Sequence, residues 1–96
     1  MMHEMSILQQ AIAKYGEEAQ MKMVLEEMSE LQKEICKRWR GKDNRDAIIE
    51  EVADLEIMLD QLKLMLDIQY HVQQARQDKL LRLQGRLEET GNESGN

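Results

Sequence analysis

Four carboxylates have the residue types and spacing to do chemistry: Glu27 and Glu30 in "LEEMSEL", and Glu51 and Asp54 in "IEEVADL". Each pair is spaced i,i+3 and so shares one helix face, and the two pairs can converge if their helices lie antiparallel. On a wheel started at Asp46, the apolar positions Ile48, Val52, Leu55, Met58, Leu59, Leu62 and Leu66 centre near about 190°. Glu51 falls at about 140°, inside that stripe, and Asp54 at about 80°, on its border. A buried carboxylate without a partner either neutralises or finds a cation. Two such charges ~5.5 Å apart repel by roughly 3 kcal/mol at an effective dielectric of about 20. Four together call for a multivalent metal.

Hard oxygen donors narrow the metal to Mg2+ or Mn2+. Histidine occurs only at positions 3 and 71, no Glu-x-x-His is present, and so a di-iron bundle is excluded. There is no EF-hand loop, no glycine-rich phosphate loop and no Ser/His/Asp or Cys/His set, which leaves metal and water to carry any reaction. The competing reading is that helical proteins are simply rich in surface glutamate. It serves for Glu26, Glu34, Glu50 and Glu56, and Glu30 lies almost opposite the Met21, Val24, Leu25, Met28, Leu31, Ile35 and Trp39 stripe of its own helix. It does not fit the phase of Glu51.

The elements that must position these acids are helices. The 96 residues contain no proline and no phenylalanine and are rich in Leu, Met, Glu, Gln, Lys and Arg, a composition that predicts a single all-α domain. Ser6 is the expected N-cap of a short first helix ending at Tyr15, with Gly16 beyond it. Glu17 and Glu18 open a second helix that runs to about Arg40 and stops at Gly41. "GKDN" forms a loop in which Asp43 or Asn44 caps a third helix, from about Arg45 to Leu66. Asp67 caps a fourth helix to about Glu89, unless helices three and four form one continuous bent helix. Residues 1–89 make the helical domain, and "TGNESGN", residues 90–96, has no apolar side chain and reads as a disordered tail.

Helix three carries a second apolar stripe, Ile49, Ala53, Ile57 and Leu64. A helix apolar on two faces needs neighbours on both, so the four-helix subunit, with its short first helix, is expected to self-associate into a larger helical bundle; coverage by helix one is the alternative. Cys36, the lone cysteine, excludes an internal disulfide and reads as a buried small hydrophobe. With 13 basic against 19 acidic residues the net charge is −6, which argues against duplex nucleic acid as a partner but allows an anionic substrate through bound cations. The N-terminal segment lacks a signal-peptide pattern and no segment has the ~20 apolar residues of a membrane span. A cytoplasmic protein with no membrane partner is expected.

Glu26-Glu27-x-x-Glu30, followed after twenty residues by Glu51-x-x-Asp54, resembles the EExxE…ExxD signature of the MazG-like, all-α nucleoside triphosphate pyrophosphohydrolases, relatives of the dimeric dUTPases. The flanking "EEMSELQKEICK" and "EVADLEIMLDQL" are similar to that family's motif helices, and the likeness spans roughly Gly16 to Leu66. It implies Glu27, Glu30, Glu51 and Asp54 as metal ligands, with Glu26 the first acid of the motif and able to act on the ligands from outside. It also implies a catalytic role for this acidic set: Mg2+-dependent hydrolysis of a nucleoside triphosphate to the monophosphate and pyrophosphate, as in nucleotide-pool housecleaning, with one glutamate orienting the water. Dimers or tetramers with sites completed by neighbouring subunits are implied as well. Position alone suggests Lys37, Arg38, Lys42 and Arg45, at the turn between helices two and three, as substrate-binding cations, with Lys79, Arg82 and Arg86 along helix four. An ordinary solvated or helix-terminal cation is the competing reading for each. Trp39 can stack on a base, although its spacing from Ile35 suggests core. The rival functions are a non-catalytic self-associating bundle and a metal-binding regulatory module.

Overall fold

The computed structural model describes residues 3–94, with side chains described as far as residue 89. All regular structure among them is helical: α1 (Glu4–Tyr15), α2 (Glu17–Trp39), α3 (Arg45–Leu66) and α4 (Gln69–Ser94). The all-α, four-helix expectation is met. Residues 95 and 96, the end of the expected tail, lie outside the described residues, and α4 continues past the expected end at Glu89.

The joints follow from backbone chemistry. Gly16, at φ 90°, separates α1 from α2, and its N–H donates to Ile12 O at 2.8 Å. After α2, Gly41 N–H donates to Arg38 O (2.9 Å) and Lys42 N–H to Lys37 O (3.1 Å), the paired bonds of a Schellman stop with Gly41 at φ 99°. The same pair of bonds ends α3, from Asp67 N–H to Leu64 O and from Ile68 N–H to Lys63 O. Asp67 sits there at φ 55°, a left-handed position that its short polar side chain tolerates. Asp67 therefore ends α3 rather than capping α4, and the two helices are separate. Ser6 lies inside α1, whose N-cap is His3, and accepts a hydrogen bond from Gln10.

α2 and α3 form an antiparallel hairpin, α1 packs across both near the open end, and α4 touches only α3 among the described residues. The hairpin seam is not the most apolar face of either helix. On α2 the inward positions are Gln20 and Val24, both buried, then Glu27, Leu31 and Glu34, all partly buried. This seam is rotated about 80° from the Met21–Trp39 apolar stripe on the wheel. That stripe faces solvent: Leu25 is 66% exposed and Trp39 90%. Trp39 and Cys36 are thus exposed rather than core. On α3 the seam runs through Glu51, Asp54, Met58 and Gln61, again about 90° from the stripe centred on Val52, Leu59 and Leu66. In an antiparallel pair, offsets of the same sense bring both stripes to one side of the hairpin. Met5 and Leu8 of α1 meet Leu64 in a cleft, so α1 covers one end of the second α3 stripe and leaves Ile49 and Ile57 exposed.

The buried interior is correspondingly small: Leu8, Val24 and Met58, with Gln20, Asn44 and Gln61 as buried polar residues. The radius of gyration is 17.7 Å. A compact 96-residue domain would give about 12.5 Å.

Candidate metal centre

Antiparallel pairing of α2 and α3 places position 27 opposite positions 51 and 54. Glu27, Glu51 and Asp54 each bring one carboxylate oxygen to within 4.8 Å of the others. Glu27 and Glu51 are partly buried and Asp54 is exposed, so the cluster is rooted in the seam and opens at its edge. Glu51 Oε2 is buried with no hydrogen-bond partner among the described residues. An orphaned carboxylate oxygen of that kind carries the desolvation cost of its charge with no compensating donor.

The electrostatics agree with the geometry. Burial first, and then the neighbouring charges of Asp54 and Glu51 and the fainter one of Glu30, push the Glu27 carboxyl above the ordinary glutamate range. Each cause disfavours the charged form of Glu27. Among the described residues, no lysine or arginine forms an ion pair with Glu27, Glu51 or Asp54.

The remaining expected residues fall in two groups. Glu30 stands one turn from Glu27, near enough to be felt, but outside the converging trio, and pairs with Lys33 at 3.7 Å. Glu26 is exposed on the side of α2 away from the seam. Lys37, Arg38, Lys42 and Arg45 gather at the closed end of the hairpin. Lys37 is ten residues beyond Glu27, about 15 Å of helix rise. It pairs with Glu34 at 3.0 Å, and Arg38 reaches Asp43 at 4.0 Å. Within the single chain these cations are not brought to the carboxylates. Lys79, Arg82 and Arg86 line a shallow groove along α4 with Val72 and Leu83.

Three polar residues that the wheel did not single out hold the hairpin on either side of the trio. Gln20 Nε2 donates to Gln61 Oε1 at 2.7 Å. Asn44, the expected cap of α3, makes no side-chain cap. Its Nδ2 instead donates to both the main-chain oxygen and Oε1 of Glu34, each at 2.9 Å. That bond, followed by Lys37, holds the Glu34 carboxyl below the ordinary range. The signal for the two glutamines was present: Gln20, Glu27 and Glu34 recur at seven-residue spacing, as do Gln61 and Asp54.

No helix among the described residues is long and apolar enough to cross a membrane. No family model matches this chain, and neither a curated protein nor a solved structure is measurably similar to it.

Proposed function

We propose that the chain is a Mg2+-dependent nucleoside triphosphate pyrophosphohydrolase, converting an NTP or dNTP and water to the monophosphate and pyrophosphate. The observation that carries the reading is the convergence of Glu27, Glu51 and Asp54 in a seam where packing would favour apolar side chains. The donor set fits the group: all-oxygen, anionic, within 4.8 Å, with one buried oxygen that lacks a partner. Mn2+ suits the same donors. The EExxE…ExxD resemblance supports the same assignment and adds Glu30 as a fourth ligand and Glu26 beside it.

Bound Mg2+ supplies charge neutralisation at the phosphates and acidifies a coordinated water. The chain's own part is to hold the carboxylates on two rigid helices rather than on loops. Glu51, with one oxygen buried, anchors the cluster. Asp54 and Glu30, at the edge, face the opening from which a triphosphate approaches. One of the glutamates orients the attacking water and accepts a proton from it.

The active form is a homo-oligomer, a dimer or tetramer. The molecule exposes 7993 Å². A compact monomer of its mass would expose roughly 5,700 Å². The difference, about 2,300 Å², exceeds the ~800 Å² that each partner contributes to an ordinary stable interface. The cations that the single chain keeps away from its carboxylates are then available to a neighbour's site. A cytoplasmic location is part of the same reading.

The test is a panel of NTPs and dNTPs with Mg2+ or Mn2+, with products resolved as pyrophosphate or orthophosphate. At least one substrate yields pyrophosphate, and EDTA abolishes the activity. Glu51→Gln lowers turnover by more than about 100-fold, beyond the loss from an outer partner of a ligand, while Glu56→Gln on the exposed face changes little. Orthophosphate as the product, or full activity in EDTA, excludes the mechanism. Metal binding with no turnover on any substrate would favour the regulatory module instead.

A further inference from the structure

The carboxylates are bracketed along the hairpin by hydrogen bonds of buried amides, Gln20 to Gln61 on one side and Asn44 to Glu34 on the other. Seven residues are close to two helical turns, so Gln20, Glu27 and Glu34 share one face of α2 at intervals of about 10.5 Å. Gln61 and Asp54 are related in the same way on α3. Counting seven forward from Gln20 and seven back from Gln61 gives Glu27 and Asp54. The helix register that pairs the two glutamines is therefore the register that brings Glu27 to Asp54.

The glutamines are well placed to enforce it. Gln20 and Gln61 are 6% and 4% exposed, and their bond is 2.7 Å. Of their buried neighbours in the seam, Val24 packs without directional preference, and Met58 Sδ accepts only a long bond from Gln61 Nε2 at 3.8 Å, which lies within α3 and does not resist an axial slide between the helices. Between the brackets, three carboxylates favour splaying or slippage. A slide of one turn would leave a buried amide unpaired, at a cost of about 1–3 kcal/mol. A single buried amide fixes register in two-stranded coiled coils for the same reason.

We infer that the Gln20–Gln61 hydrogen bond is a register key, positioning Glu27 opposite Glu51 and Asp54 for metal binding while touching neither metal nor substrate. The inference rests on the metal-centre reading and adds two positioning residues to it. The probe is Mn2+ alone, titrated into the full chain and followed by the electron paramagnetic resonance signal of the free ion. Helicity and chemical denaturation are measured on the same samples. Gln20→Met with Gln61→Met replaces the amide pair by apolar chains of similar length and shape. The double variant keeps its helicity and is at least as stable as wild type. Its Mn2+ affinity falls about 10- to 100-fold, the usual cost of losing a ligand-orienting partner. Gln20→Met alone, which strands the Gln61 amide, is less stable than the double variant. Gln20→Leu with Gln61→Leu carries the same expectation if the methionine pair does not fold. A stable double variant with wild-type Mn2+ affinity overturns the register role and leaves the metal centre standing. A wild-type chain that binds no Mn2+ overturns both.

Discussion

Among nineteen acidic side chains, location separates the few that can do chemistry from the rest. Glu56 is exposed, and Glu18 pairs with Lys22 one turn away. Glu27 and Glu51 instead meet across a helix seam, where burial and then the charges of Asp54 and Glu51 raise the cost of ionising Glu27. This has a consequence for pH. The Glu27 carboxyl is raised in the folded chain, so its contribution to stability is fully present below the ordinary glutamate range and is lost as pH rises through the raised value. Glu34 is lowered, so its contribution is present above the ordinary range and is lost as pH falls through the lowered value. In metal-free protein, wild type should lose stability relative to Glu27→Gln between mildly acidic and neutral pH, and Mn2+ should restore it. Denaturation of both proteins across that range, with and without Mn2+, checks the sign. A metal-free wild type that gains on Glu27→Gln as pH rises would contradict it.

The helices owe their boundaries to a handful of local devices and their pairing to the seam. Gly41 is the clearest boundary. At φ 99° it occupies a conformation costly for any residue with a Cβ, yet a Cβ there would meet nothing within 4 Å. Gly41→Ala should therefore cost about 1–2 kcal/mol through backbone strain alone. Gly85 is the converse, a glycine within α4 with open space around it. Gly85→Ala should stabilise that helix by up to about 1 kcal/mol. Thermal denaturation of the two variants should move in opposite directions; no shift for Gly85→Ala would mean that α4 is uncoupled from global unfolding, and a fall would overturn the helix-propensity argument.

For the molecule as a whole, the intramolecular seam is polar and the better apolar surface is left outside. Met21, Leu25, Met28 and Ile35 on α2 lie on the same side as Val52, Leu59 and Leu66 on α3, and all are exposed. α4 adds Leu80, Leu81, Leu83 and Leu87 and packs on little. Sedimentation at micromolar concentration should find a dimer or tetramer. Leu25→Asp, which places a charge in the middle of that side, should dissociate it and reduce activity together, since burying an unpaired charge at an interface costs several kcal/mol. Ile57→Asp probes the other exposed stripe in the same way. A wild-type monomer with full activity would remove the shared site.

Helical class, two of the three joints and the core of the acidic motif were legible before any fold was known. Gly16, Gly41 and the Asp43–Asn44 turn act through local backbone preferences, which need no partner to be recognised. Glu51 was legible because an acid in an apolar phase violates the helix's own pattern. Packing decided the rest. A wheel ranks the faces of one helix by transfer free energy, but it does not say whether the best face is spent on a neighbouring helix or left free. That choice turned the α2 seam about 80° toward Gln20, Glu27 and Glu34. It exposed Trp39 and Cys36 and left Glu30 beside the trio rather than within it. Asn44 satisfied the local rule for a cap, yet its Nδ2 ties α3 to Glu34 of α2, and its Oδ1, the atom a cap would use, is buried without a hydrogen-bond partner among the described residues.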